Sequence, residues 1–496
     1  MINNDEVEIG ELTYIPTPDA NAELIKQIDS KNDENQHGIS PFLYFTAIVA
    51  CMVSSVEIGF AVVWISPVAE KLLSNDPNEN PLGAAVSTIQ LSTMSAIPAF
   101  SSLFGSILLG KTCDLLGRRT AMIMLSVLIL IMKISLAFAT NIYMVFIPLL
   151  IMGFCLGGTQ VAGRIYLTEI GEDHHKTKLV CFGTLGVPLG NVCSYLISSF
   201  IPSFKLFTLA CCIPLMLSVG FLIIFLPETP VYLISRKQEE EAYKSLKKLR
   251  KKNSNEIRKE ISSISYILKK TSKSENISFS AMFSIRAIRT AIFISIGVHL
   301  IAYTDGAPVI MSFLIPVFNE AGSSVPNYIS INLLSISQLV FSFIATQTSE
   351  KYGRRTLLLI STLGNAVLLF SIGLFYYLNS MGLSYIRYVS WWPIVGLILF
   401  YLSNVLGLAS ICWVIASEVF PTNVISLAMS ILFFIDNLVV STMVFMFPII
   451  INSFGMQWNF WIYSVICILG YIFVYFKVPE TKGKNLLEIQ GLFERK

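Results

Sequence analysis

Runs of apolar residues long enough to cross a bilayer recur along this chain, separated by short polar stretches. Hydrocarbon about 30 Å thick needs a helix of about 20 apolar residues. Segments of that kind fall at roughly 41–65, 86–110, 119–138, 142–166, 179–200, 205–226, 287–314, 327–347, 356–378, 389–416, 426–450 and 457–477. Backbone groups in lipid must bond internally, so each predicts a helix. Most show no amphipathic stripe, as expected where one side meets lipid rather than water. The pattern predicts an all-α membrane protein of twelve transmembrane helices, six over 41–226 and six over 287–478. A polar tail (1–40), a connecting segment with short helices (227–286) and a second tail (479–496) make up the rest.

Composition narrows the class. The 496 residues are 54% hydrophobic and 14% charged, with a mean hydropathy of +0.67. Soluble domains carry about 25% charged residues. A net charge of +3 is too small to imply nucleic acid as a partner; the lipid bilayer is the partner implied. Of nine Cys, most sit inside apolar runs, so no disulfide framework is expected. Residues 1–38 carry nine Asp and Glu against Lys26 and Lys31, too polar to bury a core, and predict a disordered tail without a signal peptide. Lys and Arg concentrate in alternate loops, around Arg118-Arg119, Lys176-Lys178, 227–286 and Arg354-Arg355. Loops 72–83, 317–326 and 379–385 carry few. The positive-inside rule then puts both termini in the cytosol. In the connection, Glu239-Glu240-Glu241 leads into Lys244, Lys247 and Lys248, an order that suits a helix dipole.

Repetition organises the chain further. Asp114-Leu115-Leu116-Gly117-Arg118-Arg119 returns as Glu350-Lys351-Tyr352-Gly353-Arg354-Arg355, 236 positions later. Glu169 returns as Glu418, 249 positions later, and Pro227-Glu228-Thr229 as Pro479-Glu480-Thr481, 252 positions later. Repeats of that length make two similar halves. Gly117 and Gly353 are expected to allow a tight reversal between helices. Gly153, Gly157 and Gly158 predict close helix packing. No nucleophile–base set, metal-ligand spacing or phosphate loop stands out, so neither enzyme chemistry nor a cofactor is expected.

Asp-x-x-Gly-Arg-Arg between the second and third spans resembles the signature loop of the major facilitator superfamily. With Pro-Glu-Thr-Pro (227–230), Pro-Glu-Thr-Lys-Gly-Lys (479–484) and Glu418-Val419-Phe420-Pro421, the chain resembles the sugar porters, most of all insect trehalose and hexose facilitators. The resemblance implies two bundles that rock about a central site for a small polar solute, a sugar first, in the plasma membrane. It also implies a gate: Asp114, Arg118, Arg119, Glu169 and Glu228 in one half, Glu350, Arg354, Arg355, Glu418 and Glu480 in the other. Ion pairs there must break in each cycle, so each is expected to be worth a few kcal/mol at most. Topology alone is the competing role for these arginines.

The site departs from the family. Where sugar porters carry Gln and Asn in span seven, this chain has His299 and Asp305. Thr184 and Glu57 align with Gln, and Asp436-Asn437 with Asn-Trp; Trp413 is retained, Arg164 aligns with Pro, and Leu149 with Arg. The Arg-Gly pairs that follow the two gate acids align with Lys176-Thr177 and Ile425-Ser426. Candidate substrate-binding residues are therefore Trp413, Asp305, Asp436, Asn437, His299, Thr184 and Glu57. An ionised acid mid-membrane costs roughly 2.5–3.5 kcal/mol. Three readings stay open: protonated Asp305 and Asp436 standing in for Asn; one acid coupling transport to protons or binding a cation; or structural pairs of Glu57 or Asp436 with Arg164 or His299. Trp413 offers a face to a sugar ring or a cation. A passive sugar carrier, a proton-coupled carrier of a sugar, polyol or cation, and a sugar sensor that transports poorly remain in competition.

Overall fold

The computed structural model describes residues 41–51, 55–76, 80–171, 185–250, 253–273, 286–322, 325–348, 352–420, 425–482 and 488. The tail 1–40, Thr184, Lys176-Thr177, Glu350 and most of 483–496 lie outside them, as does the side chain of Asp114.

Helices account for nearly all of the described chain. They are α1 (Pro41–Cys51), α2 (Glu57–Val63), α3 (Ile65–Leu73), α4 (Thr88–Leu116), α5 (Arg118–Ala137), α6 (Tyr143–Ile170), α7 (Gly186–Phe200), α8 (Phe204–Ala210) and α9 (Cys212–Phe225) in the first half. Three short ones follow: α10 (Pro230–Ser235), α11 (Glu239–Leu249) and α12 (Ser254–Lys273). The second half has α13 (Arg286–Thr304), α14 (Ala307–Ser312), α15 (Leu314–Ala321), α16 (Asn327–Thr348), α17 (Arg354–Ser380), α18 (Trp392–Leu406), α19 (Leu408–Val419), α20 (Ile425–Phe454) and α21 (Met456–Lys477). Among the described residues, 10 helices are long and apolar enough to cross a membrane. The expected spans 41–65 and 179–200 run partly through residues outside the described set.

Local chemistry explains the boundaries. Helix α4 starts on a capping box: the Ser87 hydroxyl accepts from Gln90 N at 3.3 Å, and Gln90 Oε1 accepts from Ser87 N at 2.8 Å. The expected seventh span is one run in sequence but three helices in space. Gly306 is left-handed (φ 90°), and Asp305 Oδ1 accepts from Ala307 N at 3.0 Å to start α14. In the connection, α11 has its three Glu in the first turn and Lys247 and Lys248 in the last, the order its dipole favours. Arg250 ties this region down by donating to Ile170 O at 2.7 Å and to Glu260 at 3.1 Å.

Within the first half, α4 and α5 pack on α6, and α2 packs on α7. Within the second, α17 packs on α21 and α18, and α16 on α18. The halves meet along two seams, α4 against α20 and α7 against α16. A helix in lipid gains little from burying apolar surface, so close approach of small residues and hydrogen bonds must hold such seams. Each has one such bond at mid-height. Ser102 donates to Asn437 Oδ1 at 2.6 Å across α4 and α20. Asn191 donates to Gln338 Oε1 at 3.1 Å across α7 and α16. Ser102 and Gln338 are separated by the 236-residue offset that relates the two Gly-Arg-Arg motifs, so each seam has its bond at one repeat-equivalent position.

At the end away from those motifs the halves are bonded again. Ser66 Oγ accepts from Ile315 N at 3.1 Å, and Asn319 donates to Glu70. Asn332 donates to Ser199 at 2.7 Å, and Asn452 to Thr88 at 2.6 Å.

Candidate functional site

The repeated motifs fold alike in both halves. Arg118 donates to Glu169 Oε1 through Nη2 at 2.8 Å and Nε at 3.1 Å; Arg354 donates to Glu418 Oε1 through Nη2 at 2.9 Å and Nε at 3.2 Å. The other oxygen of each acid accepts from a threonine, Thr229 at 2.5 Å and Thr481 at 2.6 Å. Arg119 and Arg355 each donate to a carbonyl of the last helix in their own half, Ile223 O and Tyr475 O, both at 2.6 Å.

Glu228 and Glu480 play a different part from the one expected of them. Glu228 Oε1 accepts from the backbone N of Arg118 at 3.0 Å and of Arg119 at 3.1 Å. Glu480 accepts from Arg354 N at 2.9 Å and Arg355 N at 3.2 Å. The first turn of α5 and of α17 has orphan N–H groups and a positive dipole end, and a carboxylate satisfies both. The same carboxylates crowd the motif glycines. A Cβ on Gly117 would lie 2.5 Å from Glu228 Oε2, and one on Gly353 would lie 2.4 Å from Glu480 Oε2. Only Gly117 (φ 97°) also needs glycine for its backbone; Gly353 has φ −65°, which any residue adopts. All these described bonds stay within one half.

Between the halves at mid-height lies a cavity of about 300 Å³. Its polar lining includes Gln160, Arg164 and Asn191 from the first half, and Gln338, Asn404 and Asp436 from the second. Asn437 and Ser102 border it too, bonded to one another. Of the residues expected to bind substrate, Asp436 and Asn437 reach this wall.

His299 and Trp413 stand one layer behind. His299 Nδ1 lies 3.0 Å and 3.2 Å from the two oxygens of Asp436, the one pairing left open by the sequence that forms. The His299 ring meets Trp413 edge-on at 4.7 Å. The face expected to receive a sugar or a cation is covered by the chain's own cation: Arg164 Cζ lies 3.9 Å from the Trp413 ring centre and 4.3 Å from that of Phe433. Both distances are within the roughly 6 Å over which cation–π attraction acts. Arg164 precedes Glu169 by the same interval that separates Trp413 from Glu418, so repeat-equivalent positions meet face to face between the halves. This contact lies between the cavity and the motif end.

Asp305 and Glu57 are away from the cavity wall. Asp305 is wholly buried and accepts from Asn404 and from Asn365, the latter at 3.2 Å, besides Ala307 N. It thus fixes Asn404, which does line the cavity, and the start of α14. Replacing Asp305 by Ala would orphan two buried donors, on Asn365 and Asn404, at about 1–3 kcal/mol each, and the half-buried Ala307 N–H. Detergent-solubilised Asp305→Ala is expected to melt several degrees below the parent. Asp305→Asn should stay near it, because a turned-over Asn365, whose Oδ1 has no described partner, can accept from the new amide. Equal melting of both variants would reject this positioning role.

Glu57 packs near Lys133 of α5, whose charge acts on it, rather than near Arg164 or His299. Ser126 is the polar side chain beside its carboxylate, and Lys133 Nζ lies 4.5 Å above the Phe60 ring. Sequence reasoning missed Lys133, Gln160, Asn191, Gln338 and Asn404. Each is a polar residue inside an apolar run, which was signal enough to mark them; which face they take was not.

Comparison with known proteins agrees with this architecture. Residues 39–493 match the family described as sugar (and other) transporter. The facilitated trehalose transporter Tret1 of Bombyx mori is 28% identical over 448 residues, covering 90% of this chain and 85% of that one. Tret1 of Polypedilum vanderplanki is 25% identical over 456 residues, covering 91% and 88%. Among solved structures, the inward-open xylose transporter XylE of E. coli superposes with a TM-score of 0.75 at 21% identity, covering 91% of this chain and 99% of that one. XylE bound to 6-bromo-6-deoxy-D-glucose gives 0.73 at 22%, covering 92% and 100%. At that identity the likeness speaks for the fold of two six-helix bundles.

Proposed function

The chain belongs to the sugar (and other) transporter family, and on that footing we propose that it carries a small polyhydroxylated solute, a sugar first, across the membrane by alternating access. The observation that carries this reading is the cavity of about 300 Å³, walled by both halves and studded with Gln and Asn side chains. Amides both donate and accept, as hydroxyl groups require. The volume lies at the lower end of the roughly 300–1,000 Å³ of small-molecule sites. Asp436, Asn437, Gln160, Asn191, Gln338 and Asn404 contact the solute in this reading, while His299 orients Asp436 and Asp305 orients Asn404.

The two bundles, 41–226 and 287–478, rock as units about the two seams. The Arg118–Glu169 and Arg354–Glu418 pairs keep the motif end of each bundle rigid, and the stack of Arg164 on Trp413 is the contact that must part for the cavity to open there. The basic loops favour a cytosolic motif end with both termini in the cytosol, and the Tret1 relatives favour facilitated movement of trehalose; the plasma membrane, and a hexose as the other sugar, follow from the resemblance of the sequence motifs. Glu57 favours a second reading, coupling to protons, because a carboxylate buried inside a membrane span beside a lysine is costly unless it serves a cycle.

Purified full-length protein in proteoliposomes decides between them. Saturable counterflow of labelled glucose or trehalose, unchanged between two pH values and by a protonophore, is expected. Uptake driven by an acidic exterior and abolished by the protonophore would favour coupling. Sugar binding in detergent without any flux would replace the carrier by a sensor.

A further inference from the structure

The cavity holds an unusual charge for a site meant for neutral sugars. Among the described residues only two charged side chains line it, Arg164 and Asp436. Asp436 is engaged from behind by His299, and no ion pair within 4.0 Å joins it to Arg164. The guanidinium of Arg164 makes no hydrogen bond to any described residue. Trp413 and Phe433, their ring centres 4.7 Å apart, both stand on one side of it. Ring faces hold the charge but accept none of its in-plane N–H groups, of which a guanidinium has five. Such a fork, fixed by rings on its face and open at its edge, is the geometry that reads a planar carboxylate through two parallel bonds.

We propose that the preferred solute is a polyhydroxylated monocarboxylate, a sugar acid, whose carboxylate is bound by the edge of Arg164 while its hydroxyls meet the amides of Gln160, Asn191, Gln338 and Asn404. The proposal rests on the carrier reading above and makes it more specific.

The test uses the full chain in proteoliposomes, with counterflow of labelled glucose and of labelled glucuronate, each competed by glucose, glucuronate and gluconate. Thermal stabilisation in detergent supplies a readout that needs no flux. Glucuronate and gluconate are expected to compete at concentrations at least about tenfold lower than glucose, the worth of one charge-assisted bond. Arg164→Gln should erase that preference, and Arg164→Lys, which keeps the charge but loses the fork, should retain part of it. Equal competition by acid and neutral sugar, or a preference that survives Arg164→Gln, overturns the proposal. Should Arg164→Gln fail to fold, the wild-type competition series and Arg164→Lys still decide. Flux of glucose that sugar acids do not inhibit sinks this inference and leaves the carrier reading standing. Absence of binding and flux for every sugar and acid sinks both.

Discussion

Joining Glu70→Cys to Asn319→Cys with a short, cleavable thiol cross-linker is expected to abolish uptake, and reducing the bridge to restore it. The two residues sit on α3 and α15, at the end of the molecule away from the Gly-Arg-Arg motifs, and their side chains are bonded across the halves. Ser66 and Ile315 lie beside them. Alternating access requires that this end open, so each of these bonds must break once per cycle. The Glu70–Asn319 bond is exposed and costs little to break, because water replaces it at nearly equal free energy. A covalent tie removes that option. The described native cysteines are buried or half-buried, which leaves the added pair as the exposed thiols among the described residues. Uptake that persists in the cross-linked protein would mean that the far end never opens, and the rocking mechanism would go with it. Either single variant with the same reagent supplies the control.

A second large effect is expected from Gly105→Val on α4. A Cβ there would lie 1.8 Å from the backbone oxygen of Phe154 on α6. The facing surface has the same character: Cβ atoms on Gly153 and Gly157 would come within 2.3 Å of Pro98 O and 2.1 Å of Ser102 O. These contacts are with backbone, which cannot swing aside as a flexible side chain can. Overpacking a core costs about 1–3 kcal/mol and occasionally more. Here two helix axes must separate, and native stability is only about 5–15 kcal/mol in all. Because α4 also carries Ser102, the shift would reach the bond to Asn437 and the wall of the cavity. Gly105→Val is therefore expected to give little monodisperse protein on size-exclusion chromatography, whereas Gly220→Val, where a Cβ would meet nothing within 4 Å, should behave as the parent. Comparable yields of both would remove the small-residue seam as a determinant of the fold.

Much of this protein is local in origin and was legible in the residue order. The length of the apolar runs and the thickness of a bilayer suffice to draw the 10 spans found among the described residues, and the repeats Asp114–Arg119 and Glu350–Arg355 are what mark two halves in the sequence. Small residues at Gly153, Gly157 and Gly158 announced a close helix contact, and α4 packs there. Two of the residues marked for the site, Asp436 and Asn437, do face the cavity.

What residue order left open is how each helix is turned about its own axis. In water an apolar stripe fixes that angle, but a helix with lipid on one side and protein on the other is apolar nearly all round. Rotation is then decided by contacts between residues hundreds of positions apart. Only the packed chain put Arg164 against Trp413, Lys133 near Glu57, and Asp305 behind Asn404 instead of in the wall. Only the packed chain gave Glu228 and Glu480 to backbone N–H groups rather than to the arginines beside them.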